Sequence, residues 1–205
     1  MRHHRMNGAL TAVVFALALS SLPTVAPAED SPNAAPNPYK MEENWAKLPE
    51  GRKWGMTIGL DFARDGKSLW VFDRCGAKTC AGSTIKPIQK FDPSGKLVAS
   101  FGDNMFIFPH GLFVDRDDNV WVSDGQGKDG KGHVVVKFSP DGKVLMTLGK
   151  PGVAGSSHDT FNAPSDVLIA PNGDIFVADG HGGDTNARML KFAKDGTFIK
   201  EWGKK

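Results

Sequence analysis

His110 is the residue in this sequence whose setting most invites chemistry. It lies in Phe108-Pro-His-Gly-Leu, at the start of an apolar run, where Ile58 and Ser165 stand in two similar runs. Imidazole titrates near neutrality and suits zinc, so His110 reads as a metal ligand or a general base. A hydrogen-bonded structural histidine is the alternative, and one histidine alone does not make a zinc site. Arg74 closes the run Leu69-Trp-Val-Phe-Asp-Arg. A guanidinium at a strand end can hold a carboxylate bidentately; a surface ion pair with Asp73 is the alternative. His181 follows Asp179-Gly180 in a Gly-rich loop, which predicts an exposed side chain, either catalytic or simply on the surface. Asp124 and Asp179 end equivalent runs, and with Asn186 and Arg188 they are assigned to the structure of the repeat. His133 begins a strand and His158 lies in a linking loop, and neither has a companion of obvious use. The loops 125–132 and 180–184 lack calcium-loop spacing and its terminal Glu. No helix follows them, which argues against a phosphate loop.

These residues must be positioned by short strands. The stretch 161–203 contains four apolar runs joined by Gly-, Asp- and Asn-containing turns, the pattern of an antiparallel meander. The pattern occurs three times. Phe91-Asp-Pro-Ser-Gly-Lys, Phe138-Ser-Pro-Asp-Gly-Lys and Phe192-Ala-Lys-Asp-Gly-Thr recur at spacings of 47 and 54 residues. The closing pairs Phe101-Gly102, Leu148-Gly149 and Trp202-Gly203 recur at the same 47 and 54. A four-stranded unit at this period predicts an all-β fold, a β-propeller of about three blades at 57–102, 106–149 and 161–203. In a propeller the innermost strand of each blade opens onto a central channel, which places His110 at the channel mouth.

Closed propellers have about four to eight blades, so three blades predict a partial ring within 55–205. Open blade edges invite self-association. The expectation is a fragment of a longer propeller; copies completing a ring and a truncated inactive remnant are the alternatives.

Residues 1–28 carry Arg2 and Arg5, an apolar run and Ala26-Pro27-Ala28, the pattern of a cleaved signal peptide, an uncleaved anchor helix being the alternative. The protein is therefore expected to be exported, to a periplasmic or extracellular location, with no membrane span after signal removal. Removing Arg2 and Arg5 takes 25 basic against 23 acidic residues to 23 against 23, a balance that gives no case for nucleic-acid binding. Residues 29–54 read as a linker and N-terminal extension, the part 41–54 packing against the first blade or donating a strand. Cys75 and Cys80, the two cysteines of the chain, predict a disulfide in an exported protein, a two-thiol metal site being the alternative.

Each blade resembles an NHL repeat, and the chain from about Gly59 to Gly203 resembles the peptidyl-α-hydroxyglycine α-amidating lyase family. The carriers are Phe108-Pro-His-Gly-Leu, Asn119-Val-Trp-Val-Ser-Asp, and Phe161-Asn-Ala-Pro-Ser-Asp-Val with Val177-Ala-Asp-Gly, Arg188, Lys191-Phe192 and Trp202-Gly203. The resemblance implies a six-bladed ring in which histidines on alternate blades hold a catalytic zinc. His110 matches one of them, and Ile58 and Ser165 fit the blades between. It implies that Arg74 is an active-site arginine and that the backbone carbonyls of Leu60 and Leu112 bind a structural calcium. The implied reaction cleaves peptidyl-α-hydroxyglycine to a peptide amide and glyoxylate, with peptide or small-molecule substrates as partners. The family's tyrosine is replaced here by His181, which implies an altered acid/base group. A non-catalytic ligand- or protein-binding propeller is the competing class.

Overall fold

The computed structural model describes residues 36–203. The predicted signal peptide and residues 29–35 of the linker lie outside the described residues. The chain divides into two units, Met1–Met41 and Glu42–Lys205. Residues 36–41 have no regular secondary structure. Among the described residues no helix is long and apolar enough to cross a membrane.

Among its described residues the second unit holds twelve strands in three four-stranded antiparallel sheets. The first sheet is β1 (Thr57–Phe62), β2 (Leu69–Asp73), β3 (Ile88–Phe91) and β4 (Leu97–Phe101), paired in that order. The second is β5 (Pro109–Val114), β6 (Val120–Asp124), β7 (Val134–Phe138) and β8 (Val144–Leu148). The third is β9 (Pro164–Ile169), β10 (Ile175–Asp179), β11 (Arg188–Phe192) and β12 (Phe198–Trp202). Strand β5 packs beside β1 on one side and beside β9 on the other. These are three successive blades of a β-propeller, the architecture the repeat predicts.

The turns follow from glycine at the left-handed position. Gly95, Gly142 and Gly196 of the three repeated turn motifs have φ of 78°, 88° and 87°, a region that a side chain disfavours. Each blade then buries the same position. Phe91 and Phe138 are fully buried and Phe192 nearly so. One core cluster joins the first two sheets around Trp70, Phe72, Val122 and Phe138, and a second joins the next two around Trp121, Phe161, Val177 and Leu190. Burying such side chains contributes about 1.5–3 kcal/mol each.

Polar pairs repeat as well. Trp70 faces Lys90, Trp121 faces Lys137 and Phe176 faces Lys191 across neighbouring strands. Each ammonium lies 5.1–5.5 Å from its ring, within cation–π range.

The segment before β1 packs and does not donate a strand. Lys47 N donates to Gly95 O at 2.7 Å, and Trp45 Nε1 donates to Pro93 O at 3.2 Å. Trp45 and Trp54 both lie against Phe91. Cys75 and Cys80 form the predicted disulfide.

Candidate functional site

Three buried aspartates set the mouth of each blade. Asp73, Asp124 and Asp179 end β2, β6 and β10 and are at most 2% exposed. Each accepts main-chain N–H groups from the segment entering its own blade. Gly55 N donates to Asp73 at 2.5 Å, Ile107 N and Phe108 N donate to Asp124 at 2.8 and 2.5 Å, and Asn162 N donates to Asp179 at 2.8 Å. The carboxylate thereby fixes the start of the innermost strand, where His110 stands. Asp73 is paired with Arg52, and Asp179 with Arg188 at 3.0 Å and Asn186 at 2.7 Å. Among the described residues no cation pairs with Asp124. Burial pushes its carboxyl up to about 6, against the pull of its backbone hydrogen bonds and of Arg74.

All three innermost strands are irregular at one place. The register breaks between Thr57 and Gly59, between Pro109 and Leu112, and opposite Ala178 and Asp179, where Pro164 is followed by Asp166. Ile58, His110 and Ser165 fall in these breaks, and an extra residue there re-aims a side chain. The structure brings the three together. With Leu60, Leu112 and Asp166 they line an open cleft of about 420 Å³.

Glycine makes the close approach possible. A Cβ on Gly111 would stand 2.5 Å from Asp166 Oδ1 and 2.9 Å from Ser165 O, and one on Gly59 would stand 2.6 Å from Leu112 Cβ. With β5 this near β9, His110 Nδ1 reaches Ser165 O at 2.7 Å. A carbonyl only accepts, so Nδ1 donates and the neutral ring keeps its lone pair on Nε2. Burial lowers the pKa of His110, and the nearby His181 and Arg74 push the same way; the Ser165 hydrogen bond and Asp166 oppose them. The ring is therefore held toward the neutral form.

His181 is exposed, as its glycine-rich loop predicts, yet it is not isolated. Its ring meets His110 at a centroid distance of 4.5 Å and an interplanar angle of 73°. Phe108 touches both, at 6.2 Å from His110 and 6.0 Å from His181.

Arg74 is placed differently from a surface ion pair. It is 5% exposed, and Asp73 pairs with Arg52 instead. Its guanidinium carbon lies 3.5 Å over the Phe108 ring, and Nε donates to Pro109 O at 2.9 Å. Burial lowers its pKa, with Asp124 opposing. Among the described residues no carboxylate pairs with it directly.

His110 has the donor chemistry that zinc takes, because a hydrogen bond from Nδ1 to a carbonyl orients the ring and leaves Nε2 to ligate. Among the described residues no group of three or more His, Cys, Asp and Glu is close enough to hold a metal, so His110 stands there as a single candidate ligand. Leu60, Leu112 and Asp166 line the same cleft, and main-chain carbonyls and a carboxylate are the kinds of ligand that calcium takes. Asp166 is a residue that sequence reasoning missed, since its position beside Ser165 matters only once β5 and β9 are adjacent. His133, set aside in the sequence for want of a companion, gains one in the fold. It lines a separate cavity with His181 and Phe108, and no local motif announces it. His158 stacks on Phe198 at 3.8 Å, away from both.

Comparison with known proteins gives one consistent direction. Peptidyl-alpha-hydroxyglycine alpha-amidating lyase 1 of Drosophila melanogaster is 43% identical over 124 residues, 59% of this chain and 21% of that protein. The chain resembles the amidating-lyase propellers. The probable amidating lyase pgal-1 of Caenorhabditis elegans is 37% identical over 152 residues, covering 74% of this amidating-lyase-like chain and 38% of that one. NHL repeat-containing protein 3 of Homo sapiens is 30% identical over 169 residues, 80% of the chain and 45% of its own length. The matches thus span less than half of each of these relatives. No protein-family model matches. Among solved structures, a catalytically inactive virginiamycin B lyase from Staphylococcus aureus with quinupristin superposes at a TM-score of 0.50. Its identity is 17%, over 76% of this chain and 43% of that one, a likeness that concerns the fold.

Proposed function

We propose that this amidating-lyase-like propeller is an exported, zinc-dependent lyase that cleaves peptidyl-α-hydroxyglycine to a peptide amide and glyoxylate. The observation that carries the reading is the placement of His110. Its ring is oriented by Ser165 O, leaves Nε2 to ligate, and lies beside His181 and the Arg74–Phe108 stack.

His110 would hold the zinc, together with ligands beyond the described residues, and Leu60 and Leu112 would offer carbonyls to a structural calcium. A bound zinc supplies Lewis acidity at the substrate hydroxyl. The chain's own residues then have distinct tasks. Arg74 binds the substrate carboxylate; a buried cation without an ionic partner is costly, and an anionic substrate supplies the missing charge. His181 accepts the hydroxyl proton. The O–H electron pair becomes the aldehyde C=O bond of glyoxylate, and the C–N pair leaves with the amide nitrogen. That nitrogen takes a proton, which His181 returns. The N-terminal signal peptide would direct the protein to a periplasmic or extracellular location, and blade edges offer a route to self-association.

The competing reading is a binding propeller without chemistry, favoured by one departure: His181 stands where the resembled family has tyrosine. Metal analysis separates the two. Zinc content near one per propeller, abolished in His110→Ala, supports the lyase. Metal content that survives the substitution, or ligand binding indifferent to chelators, refutes it.

A further inference from the structure

His133 is held in place by three separate features. Its φ is 54°, a left-handed conformation that is costly for a residue with a side chain and persists only where the surroundings impose it. Ala163 N donates to its Nδ1 at 3.4 Å. Gly127 leaves room for the ring, since a Cβ there would stand 2.5 Å from Cδ2 and 2.9 Å from Nε2. A main-chain N–H only donates, so Nδ1 accepts and the proton is on Nε2. His133 is thus fixed in the tautomer opposite to that of His110. Among the described residues Nε2 of His133 has no hydrogen-bond partner.

The ring lines a cavity of about 570 Å³ between the loops that follow β6 and β10, within the range of small-ligand sites. Phe108 and His181, both in contact with His110, line it too. Gly125, Gly127, Gly182 and Gly183 contribute wall without side chains, so a chain of varied sequence meets backbone there. The cavity adjoins the reacting groups without containing His110.

We infer that this cavity holds the peptide part of the ligand, and that His133 is a ligand-binding residue that donates its Nε2–H to a main-chain carbonyl oxygen. The inference rests on the proposed lyase reading for the ligand class and on the geometry above for the residue. Burial lowers the pKa of His133, which agrees with a neutral ring that donates from one nitrogen and accepts at the other.

The test uses the full chain labelled with nitrogen-15 at histidine. The probe is an N-acetylated tripeptide amide, the product class of the proposed reaction. In the free protein His133 is expected to show a protonated Nε2 and a bare Nδ1. Millimolar peptide is expected to shift the Nε2–H signal. Asn and Asp both tolerate a left-handed backbone and have nearly the same size, but only Asn donates. His133→Asp is expected to bind the peptide about tenfold more weakly than His133→Asn, the scale of one hydrogen bond. Equal affinities for the two variants, an unmoved Nε2–H, or a shift produced by glyoxylate alone overturns the inference. Zinc is measured on the same samples. A protein that binds no zinc yet shifts at His133 loses the lyase reading and keeps the peptide subsite. A protein that binds zinc and shows no shift at His133 loses the subsite alone.

Discussion

His181 meets His110 edge to face, with ring centroids 4.5 Å apart. In the proposed reaction His181 would take the hydroxyl proton beside the imidazole that would hold zinc. Replacing His181 with Ala is expected to lower kcat by roughly 10²–10⁴, the usual worth of a general acid or base, with KM and zinc content nearly unchanged. Steady-state kinetics with parallel metal analysis decides this. Equal loss of zinc in His181→Ala and His110→Ala would make His181 a ligand instead.

Asp124 gives a pH dependence of known sign. Its carboxyl is raised from 3.8 to about 6 in the folded protein by burial. Between these values the native state binds the proton that the unfolded chain releases. On this account stability falls by about 2 kcal/mol as pH rises from about 4 to about 6. A carbon-13 titration of the Asp124 carboxyl reads the midpoint directly. A midpoint at or below 3.8 rejects the account.

Gly111 tests the close approach of β5 and β9. Gly111→Ala places a methyl against Asp166 Oδ1 and Ser165 O, and the strands must part to accept it. Chemical denaturation is expected to show a loss of about 1–3 kcal/mol. The His110 tautomer signal is expected to blur as the Ser165 contact lengthens. An unperturbed signal in a variant of normal stability would count against the tight seam.

Arg188 tests the assignment of Asp179 to blade structure. Its guanidinium donates to Asp179, to Glu201 and to the carbonyls of Ser156, Ser157 and Thr160. Arg188→Ala leaves the buried Asp179 without its cation, a loss of about 3–5 kcal/mol. Thermal unfolding measures it. Zinc content in the residual folded protein is expected to be normal, because Arg188 does not touch the His110 cleft.

Much of the fold was legible because its signals are local. Phe91, Phe138 and Phe192 precede glycine turns at matching spacings, so strands and blades followed from one-dimensional pattern. The roles of Asp124 and Asp179 followed from repetition as well. Arg74 was legible as a residue of interest, but its burial over Phe108 was not, because the cover comes from the next blade. Asp166 and the tautomers of His110 and His133 were hidden for a related reason. Each depends on a contact between residues 30 or more positions apart, such as Ala163 to His133, which only the register of adjacent blades creates.

The recurring break in the innermost strands turns three positions into interchangeable sockets. Ile58 and Ser165 occupy the seats that His110 occupies one blade away, and the backbone that presents them is already in place. A single codon change such as Ile58→His would plug a second imidazole into the mouth without rebuilding a loop. Chemistry on this scaffold can therefore be rewired one blade at a time, while the aspartates that close each blade leave the frame unaltered.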